Sequence, residues 1–552
     1  MTRVHRVAAL AIAIALSAGL ASAADVRKVA DEIRIEATRP NDSPEGRPLP
    51  LATHWCSGAH WLAQGWGPAT QMRLIEQGHH LLPWFYHPPL SGKAARFVNE
   101  KLTDDELFTR YFEQPIKRAA ALKLPIGFTA SQWESHLSGK PYVDLPADQN
   151  PNVVAPDGTI QKRVSPFGPV GPWRALGARW TSTPRMKQLQ AWYPDPPLVL
   201  FLSNNEHHKL QWHKAETSKR YLDAHGKGKS DDFKRKVVGD GWIEHYRAIQ
   251  QGFRDGLTSE QWRKHAMFVG YGACGPEFMG RWGGWPHYSL HTKGRITPWP
   301  LAWDGGSPSY YTHDWNPSTD YTVWSPQVEF QNLVFIHRQA LKLNPKYWLE
   351  FSVWDGYDGP RREKRYPSPR TLYRLKGQTY GPARYGGYVQ FGMWLLRPRA
   401  VREYRGWTFP ADQGMPYFMA IVDAVDRVHV NPTLRQWWRK GTLVPNRAHK
   451  HHYQSGVPAE WQGEDRWFLL DANVNPSEYP WELFWEVRVF ALALVQGEAP
   501  ARQWLIYAHS PVKERKGVQV TIPGYRQIAL DVSVGGSFYV VDEKTGGIKP
   551  VE

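Results

Sequence analysis

Strand-like apolar runs alternate with helical segments from about residue 50 to residue 400, and this alternation constrains the fold more than any other feature. The eight strand-like runs are 51–56, 80–86, 124–130, 198–202, 266–271, 301–304, 347–353 and 388–395. The helical segments between them include 69–77, 104–122, 185–192, 215–263 and 326–343. Successive strand–helix units give parallel strands joined by right-handed crossovers. Eight such units predict a (β/α)8 TIM barrel, in which the sixth strand has the faintest pattern.

The pattern changes after about residue 465. Short strand-like runs separated by turns follow at 467–470, 484–495, 503–508, 517–522, 527–532 and 537–541. Such runs without intervening helices are typical of an antiparallel sandwich. We therefore predict an α/β chain with a catalytic barrel over residues 24–465 and a C-terminal β-sandwich over 466–552. A Pro- and Gly-rich loop over 135–184 and a helix over 419–439 complete the predicted barrel.

The N-terminus has the three parts of a secretory signal. Arg3 and Arg6 precede an apolar stretch over residues 7–20, and the small-x-small sequence Ala21-Ser22-Ala23 follows. We predict a signal peptide over residues 1–23, and hence a secreted or periplasmic protein. The apolar stretch is too short and too rich in alanine for a membrane span, and no later segment is long enough. Two cysteines, Cys56 and Cys274, lie at the first and fifth candidate strands, too far apart around a barrel for a disulfide, so we predict buried thiols.

Charge and aromatic content indicate the class of partner. Loss of the signal changes the formal net charge from +16 to +14, and a basic exported protein attracts anionic partners. No Lys- or Arg-rich block or nucleic-acid motif is present, so we expect no nucleic-acid partner. The chain has 28 Trp, 25 Tyr and 21 Phe. Aromatic faces stack on sugar rings, and the excess as a whole favours a polysaccharide partner, acidic or sulfated in view of the charge, although core packing is the better explanation for any single tryptophan.

The fourth strand-like run ends in a motif that carries chemistry. Residues 198–202 are apolar and lead into Ser203-Asn204-Asn205-Glu206. The carboxylate therefore follows the C-terminal end of a buried strand, where barrel enzymes build their active sites. An Asn-Glu pair at the end of strand four resembles the general acid/base motif of the clan A (β/α)8-barrel retaining glycoside hydrolases.

A second carboxylate fits the same resemblance. Glu350 lies in Tyr347-Trp-Leu-Glu350-Phe, within the seventh strand-like run, and the clan carries its nucleophile at the end of strand seven. The resemblance implies that Glu206 is the general acid/base and Glu350 the nucleophile. Retaining enzymes need these carboxyl groups about 5–5.5 Å apart. No cofactor or metal is expected from the sequence, since Cys and His form no metal-ligand pattern.

The resemblance also implies substrate-binding residues. Asn205 would bond to the sugar 2-hydroxyl, and Tyr311 is our first choice for the partner of the nucleophile after strand six, with Tyr310 and His313 as alternatives. Trp394, near the end of the predicted eighth strand, resembles the aromatic platform of the clan. The sequence adds three further candidates for contact with the glycan, which are Trp133, His207 and Trp354.

Several alternatives remain open at this stage. Glu206 could be a loop residue near a helix N-terminus. Glu350 could be a buried structural carboxylate, in which case Asp355 or Asp358 of Val353-Trp-Asp-Gly-Tyr-Asp would be the nucleophile. Arg384 and the arginines of 361–365 could hold sulfate or carboxylate groups, or could be solvated. The chain could instead be a polysaccharide lyase or a non-catalytic glycan-binding protein. The sequence gives no indication of the oligomeric state, the linkage or the glycan.

Overall fold

The computed structural model describes residues 23–55, 67–86, 103–130, 133–204, 210–271, 299–307, 309–311, 326–354, 374, 379–404, 411–446, 489–511 and 513–552. The N-terminal part of these residues folds into a parallel barrel with one inserted antiparallel hairpin. The strands in chain order are β1 (Leu51–Trp55), β2 (Trp84–Tyr86), β3 (Ile126–Ala130), the hairpin strands β4 (Asn152–Val154) and β5 (Ile160–Val164), β6 (Val199–Asn204), β7 (Ala266–Tyr271), β8 (Gly305–Ser307), β9 (Ser309–Tyr311), β10 (Trp348–Trp354) and β11 (Ala400–Tyr404).

The sheet closes on itself, as the strand–helix alternation predicts. Its strand order is β1-β11-β10-β8-β7-β6-β3-β2, with β9 also paired to β10. A parallel bridge between Ala52 and Leu81 joins the two ends. The Ala52 N–H donates to the His80 carbonyl at 3.0 Å, and the Leu82 N–H donates to the Ala52 carbonyl at 2.9 Å. The predicted (β/α)8 barrel is therefore confirmed, with β8 and β9 together in the sixth position.

Helices surround the barrel and follow the signals in the sequence. For example, the helix that begins at Asp104 has a capping box, in which the Thr103 side chain accepts from the Glu106 N–H and the Glu106 side chain accepts from the Thr103 N–H. The helices are α1 (Ala23–Thr38), α2 (Pro68–Glu76), α3 (Asp104–Ala121), α4 (Gly171–Thr181), α5 (Pro184–Trp192), α6 (Lys219–His225), α7 (Asp231–Gly256), α8 (Glu260–His265), α9 (Trp299–Ala302), α10 (Pro326–Leu343), α11 (Pro382–Leu396), α12 (Ala411–Val430) and α13 (Pro432–Lys440).

Large side chains fill both sides of the barrel wall. Between wall and helices, Phe201 of β6 packs against Phe253 of α7, with ring centroids 5.4 Å apart. Inside the barrel, the indole of Trp84 lies over Gly127 of β3, where a Cβ atom would come within 2.0 Å of the ring. Glycine at this position therefore makes room for a tryptophan in the barrel interior.

The C-terminal residues form a two-layer antiparallel unit. A five-stranded sheet has the order β12-β13-β14-β17-β18, and the hairpin β15–β16 packs on one of its faces. Its other face packs on the barrel helices, where the Tyr507 hydroxyl donates to the Gly387 carbonyl at 2.7 Å. This confirms the predicted C-terminal β-sandwich. Its strands are β12 (Thr442–Leu443), β13 (Phe490–Gln496), β14 (Gln503–His509), β15 (Arg515–Thr521), β16 (Gln527–Val532), β17 (Ser537–Asp542) and β18 (Ile548–Val551).

The structure corrects the predicted eighth strand. Residues 388–395 belong to helix α11, which is buried along its whole second half, and the eighth strand is β11 at Ala400–Tyr404. A helix that is apolar on every face has the same sequence pattern as a buried strand. The true strand was hidden because it carries Arg402 and Glu403, both of which are fully buried.

Other boundaries also differ from the predictions. The predicted loop over 135–184 contains the β4–β5 hairpin and helix α4. The predicted helix over 419–439 is two helices, α12 and α13, separated at Asn431. The predicted signal peptide, the boundary at residue 465, Cys56 and Cys274 lie outside the described residues. Among the helices that are described, none is both long and apolar enough to cross a membrane.

Candidate active site

The C-terminal ends of the barrel strands carry a row of aromatic residues that the sequence analysis did not identify. Six of the eight strand positions end in Trp or Tyr, which are Trp55, Tyr86, Tyr271, Tyr311, Trp354 and Tyr404. Register partners across neighbouring strands show that much of the row is continuous. Trp55 pairs with Tyr404, and Trp354 pairs with Tyr311. We call these six strand-end positions the aromatic rim. Because barrel enzymes bind substrate at this face, the rim marks the candidate site.

Two predicted substrate-binding residues thus meet at the rim. Tyr311 is the last residue of β9 and is the register partner of Trp354, the last residue of β10. The Trp354 side chain is buried, and its ring packs edge-on against Tyr404 at 5.2 Å between centroids. Trp354 is therefore a buried packing residue of the rim and has no exposed ring face on which a sugar could stack.

The predicted acid/base motif begins where the described part of β6 ends. Asn204 is the last residue of β6 and the register partner of Tyr271 on β7. Asn205, Glu206 and His207 follow it directly and lie outside the described residues. The structure thus places the strand end that precedes Glu206 on the C-terminal face of the barrel, the face of the candidate site. The side-chain geometry of Glu206 stays a prediction.

Three further predicted residues have different positions. Trp133 begins a short 3-10 helix, Trp133–Ser138, just after β3. His313 lies outside the described residues. Arg384 lies at the start of α11 and donates from Nε to the Pro511 carbonyl of the C-terminal unit at 2.7 Å. Arg384 therefore joins the barrel to the sandwich, in contrast to the anion-binding role considered from the sequence.

Trp394 does not form the predicted platform. It lies on α11, is fully buried, and donates from its indole nitrogen to Gln390 at 3.1 Å. Its ring packs edge-on against Trp438 and Phe538, at 5.0 and 5.3 Å between centroids. A side chain enclosed between the barrel helices and the sandwich has no face to offer a sugar. The assignment of Trp394 to strand eight and to a substrate platform was therefore wrong.

The tryptophan excess is explained in part by the core. Eight tryptophans are less than 2% exposed, which are Trp84, Trp173, Trp242, Trp262, Trp348, Trp394, Trp438 and Trp504. Composition alone is therefore weaker evidence for sugar binding than the positions of the remaining residues. The segments that directly follow β1, β7, β9 and β11 in the sequence contain Trp61, Trp66, Trp282, Trp285, Trp315, Trp324 and Trp407.

Glu350 lies deep in the barrel. It is the third residue of β10, four residues before the strand ends at Trp354. At about 3.3 Å per residue, the strand end is roughly 13 Å further along. The side chain is fully buried, and its register partner on the next strand is Ala400, the first residue of β11. Its position is therefore well below the C-terminal end of the barrel, where the candidate site lies.

A bidentate ion pair occupies both carboxylate oxygens of Glu350. Arg402 donates from Nε to Oε2 at 2.6 Å and from Nη2 to Oε1 at 2.7 Å. The indole nitrogen of Trp348 donates to Oε1 at 2.9 Å. The Arg402 side chain is also fully buried. Charge-assisted bonds in this fork geometry fix the carboxylate in one orientation.

The same arginine crosses the barrel interior. Its Cζ lies 3.7 Å from the ring centroid of Trp84 on β2, a strand separated from β11 by β1. Trp84 in turn donates from its indole nitrogen to the Thr129 hydroxyl of β3 at 2.6 Å. The ion pair, the cation–π contact and the hydrogen bonds therefore link four strands through the interior.

These contacts favour the alternative that Glu350 is a structural carboxylate. A nucleophile must reach the anomeric carbon of a bound sugar, whereas both oxygens of Glu350 are engaged and buried. The carboxylates that the sequence left as alternatives, Asp355 and Asp358, follow β10 directly and lie outside the described residues. Asp355 is the first residue beyond the rim position Trp354.

A separate cluster of ionisable groups lies near the N-terminal ends of the strands. The His80 ring is between two carboxylates, with Nε2 2.7 Å from Glu32 Oε2 and Nδ1 2.9 Å from Asp426 Oδ1. The His80 backbone N–H also donates to Asp426 at 2.8 Å, and His79 contacts the other Asp426 oxygen at 2.7 Å. Since both ring nitrogens face carboxylates, the arrangement fits a doubly protonated imidazolium.

The same cluster is the place where a metal could be considered. Ligand atoms of Glu32, His80 and His429 lie within 4.8 Å of one another. However, the two imidazole rings are stacked, with centroids 3.6 Å apart and planes at 16°. A metal bound in the plane of one ring would lie far from the plane of the other. The geometry therefore fits a protonated His80 between two carboxylates better than a metal ion bound by Glu32, His80 and His429.

The pKa shifts in this cluster have opposite signs. Burial lowers the pKa of His80, but its hydrogen bonds to Asp426 and Glu32 outweigh burial and raise it overall. The hydrogen bond from His80 lowers the pKa of Glu32 to about 2. Asp426 is desolvated, yet bonds from His79 and His80 lower its pKa to about 2. Burial lowers the pKa of His429 to about 3, and the charge on His80 adds to that effect.

We expect the protein to lose stability as the pH rises above about 6.5, the ordinary value for histidine. A group whose folded pKa is raised stabilises the fold below its unfolded pKa, and this contribution disappears as the pH passes its folded pKa. Urea unfolding from pH 6 to pH 9 should therefore show a decline in wild type that is absent in His80→Gln. His225→Gln, a change outside the cluster, should decline like wild type. An equal decline in His80→Gln would contradict the imidazolium assignment.

Comparisons with known proteins give no family for this chain. No family model matches it, and no curated protein matches it. Among solved structures, it is similar to the PgaB (BpsB) glycoside hydrolase domain from Bordetella bronchiseptica, at 12% identity and a TM-score of 0.33, over 57% of this chain and 79% of that one. It is also similar to PbGH5A, a glycoside hydrolase family 5 enzyme from Prevotella bryantii B14, at 10% identity and a TM-score of 0.36, over 71% and 98%.

A third similar structure is AbfB, a family 51 alpha-L-arabinofuranosidase from Bifidobacterium longum, at 10% identity and a TM-score of 0.32, over 89% of this chain and 77% of that one. All three proteins are described as glycoside hydrolases or glycosidases. At these identities and TM-scores, the likeness assigns neither a family nor an activity. The function must therefore be argued from the chain's own residues.

Proposed function

We propose that this chain is a secreted glycoside hydrolase that cleaves O-glycosidic bonds of a polysaccharide at the C-terminal face of its barrel. The observation that carries this proposal is the aromatic rim, in which Trp354 is a buried packing residue and the other five strand-end positions are the candidates for sugar contact. Sugar rings bury their apolar faces against aromatic rings, while their hydroxyls bond to polar neighbours. The tryptophans of the following segments would extend this surface along a polymer.

Glu206 is proposed as the general acid/base. It follows β6, whose last residue Asn204 lies on the active-site face beside Tyr271. In the first step, Glu206 gives its proton to the leaving glycosidic oxygen, and in the second it takes a proton from the attacking water. Asn205 would hold the sugar 2-hydroxyl, and Tyr311 would contact the nucleophile from the neighbouring strand end.

The nucleophile is proposed to be Asp355 or Asp358, in place of Glu350. Asp355 directly follows the rim position Trp354 in the sequence, whereas Glu350 is held by Arg402 in the barrel interior. The carboxylate would attack the anomeric carbon, form a glycosyl-enzyme ester, and release sugar when water attacks. Net retention of configuration follows from these two displacements.

A screen on polysaccharides tests the proposed function. Neutral, uronic and sulfated polymers would be incubated with the purified protein, and new reducing ends would be measured together with ultraviolet absorbance. Hydrolysis gives reducing ends without new absorbance, whereas a lyase leaves an absorbing unsaturated sugar. Binding without new reducing ends on any polymer would favour the non-catalytic glycan-binding alternative and contradict the proposal.

We expect an anionic polymer to be the best substrate, and its KM to rise several-fold with added salt. The mature net charge of +14 and the arginines of residues 361–365, which follow β10, motivate this expectation. Exposed charges are screened beyond about 8–10 Å at 0.1–0.15 M salt. When KM is measured at low salt, changing Arg361, Arg362 and Arg365 to Ala should raise it by a similar factor. Kinetics on a small neutral aryl glycoside should be unaffected by either change. A KM that is insensitive to both would contradict the anionic substrate, but not the glycosidase.

A further inference from the structure

A cavity lies at the opposite end of the barrel from the aromatic rim. It has a volume of about 510 Å³ and lies between α10, α11 and the segment that joins α13 to β12. Leu395, Leu396 and Arg397 line it and immediately precede β11, so it lies near the N-terminal ends of the strands. Small-molecule sites typically have volumes of about 300–1,000 Å³.

The cavity wall contains several cationic side chains. Four arginines and one histidine line it, which are Arg47, Arg338, Arg397, Arg439 and His337. The lining includes no Asp or Glu. Among the described residues, Glu36 forms an ion pair with one of these arginines, with its Oε1 accepting from Arg439 Nη2 at 2.5 Å. Glu36 also forms an ion pair with Arg39, so its single negative charge is divided between two arginines and compensates the charge of Arg439 only in part.

Arg397 is held in place by contacts that carry no negative charge. It ends α11 in the left-handed conformation, at φ +50°, and its guanidinium donates to the carbonyls of Gly441 and Trp437. These partners are neutral. The side chain is 8% exposed, and its Nε has no hydrogen-bond partner among the described residues. A buried donor without a partner is costly, so a bound acceptor would stabilise this position.

Arg47 adds a second, partly buried cation next to Arg397. Its Nη2 donates to the Arg397 backbone carbonyl at 3.2 Å. Burial lowers the pKa of Arg47 to about 10. Burial also lowers the pKa of Arg397, and the charge of Arg47 lowers it further. Two like charges held close together in a partly desolvated site repel each other, and an anion bound between Arg47 and Arg397 would remove that cost.

Leucines also line the cavity, among them Leu341, Leu395 and Leu443, so an inorganic ion would leave apolar lining without a contact. We propose that the cavity binds a small organic oxyanion, with its carboxylate or phosphate on the arginines and its body against the leucines. This inference does not depend on the proposed glycosidase activity, because none of its residues belongs to the rim.

Calorimetric titration of the full-length protein tests the inference. D-glucuronate and glucose 6-phosphate would be the probes, with inorganic phosphate and glucose for comparison. We expect at least one of the two organic anions to bind, more tightly than inorganic phosphate, and glucose not to bind. Arg47→Gln and Arg338→Gln should each weaken that binding about tenfold or more, a loss of about 1.4 kcal/mol. Lys342→Gln removes a charge from the same helix as Arg338 outside the cavity, and it should bind like wild type.

Thermal melting provides a second, independent readout. Without ligand, Arg47→Gln should melt at the same temperature as wild type or higher, because it removes the repulsion between Arg47 and Arg397. With saturating ligand, wild type should melt higher than the variant. Arg338 is exposed, so Arg338→Gln keeps the test valid if Arg47→Gln fails to fold. Tightest binding by inorganic phosphate, binding of no probe, or binding unchanged in both arginine variants would overturn the proposal.

Discussion

Glu206→Gln is expected to lower kcat on a polysaccharide by about 10²- to 10⁴-fold, the usual contribution of a general acid. The amide cannot give a proton to the leaving oxygen, so the loss should depend on the leaving group. Aryl glycosides with strongly acidic phenols need no protonation for the first step, and these should keep most of their glycosylation rate. Steady-state and burst kinetics on both substrate types measure this difference.

Glu260→Gln is the matched control for that experiment. Glu260 is an exposed glutamate in the first turn of α8, so the same chemical change there should leave activity intact. If Glu206→Gln lost the same factor on the polymer and on activated aryl glycosides, Glu206 would not be the acid. If it lost nothing on either, the catalytic proposal itself would fail.

Glu350→Gln is expected to destabilise the fold by about 3–5 kcal/mol, the usual cost of breaking a buried ion pair by removing one partner. The change leaves the buried guanidinium of Arg402 without a counter-charge. Arg402→Leu should cost a similar amount, and the double variant Glu350→Leu with Arg402→Leu should cost much less than the sum. Urea unfolding of the four proteins measures this coupling.

The activity of the same variants separates a structural role from a catalytic one. Below the temperature where it unfolds, Glu350→Gln should keep measurable turnover per folded molecule, because its carboxylate does not contact substrate. Full stability combined with complete loss of turnover would instead identify Glu350 as the nucleophile. The resemblance to clan A predicts complete loss of turnover, whereas the buried ion pair predicts loss of stability, so the experiment decides between the two roles.

Most of the barrel could be predicted because its strands are continuous apolar runs. The fifth strand, Ala266–Tyr271, and helix α10, Pro326–Leu343, have the predicted bounds. The eighth strand could not be found in this way, because Arg402 and Glu403 interrupt its apolar pattern. Their charges are tolerated inside the protein only because partners elsewhere in the chain, such as Glu350, compensate them. Such pairing is a tertiary property that a local pattern does not show.

The sequence was sufficient to predict the strand that leads to the candidate site, but not the surroundings of the individual side chains. The position of Asn204 at the end of β6 confirms the strand that leads to Glu206. The predicted run over 347–353 already placed Glu350 in mid-strand, but its pairing with Arg402 could not be seen because Arg402 lies on the strand that the sequence pattern hid. The aromatic rim was missed because its members are far apart in sequence and become neighbours only through the register of the barrel.

Covalent trapping tests the central claim most directly. A 2-deoxy-2-fluoro glycoside of the preferred sugar, with a good leaving group, slows hydrolysis of the ester intermediate and leaves the sugar attached to the nucleophile. Trypsin would release residues 347–361 as one peptide, which contains Glu350, Asp355 and Asp358. Fragmentation by mass spectrometry then locates the sugar. We predict that it is attached to Asp355 or Asp358, and attachment to Glu350 would contradict the account.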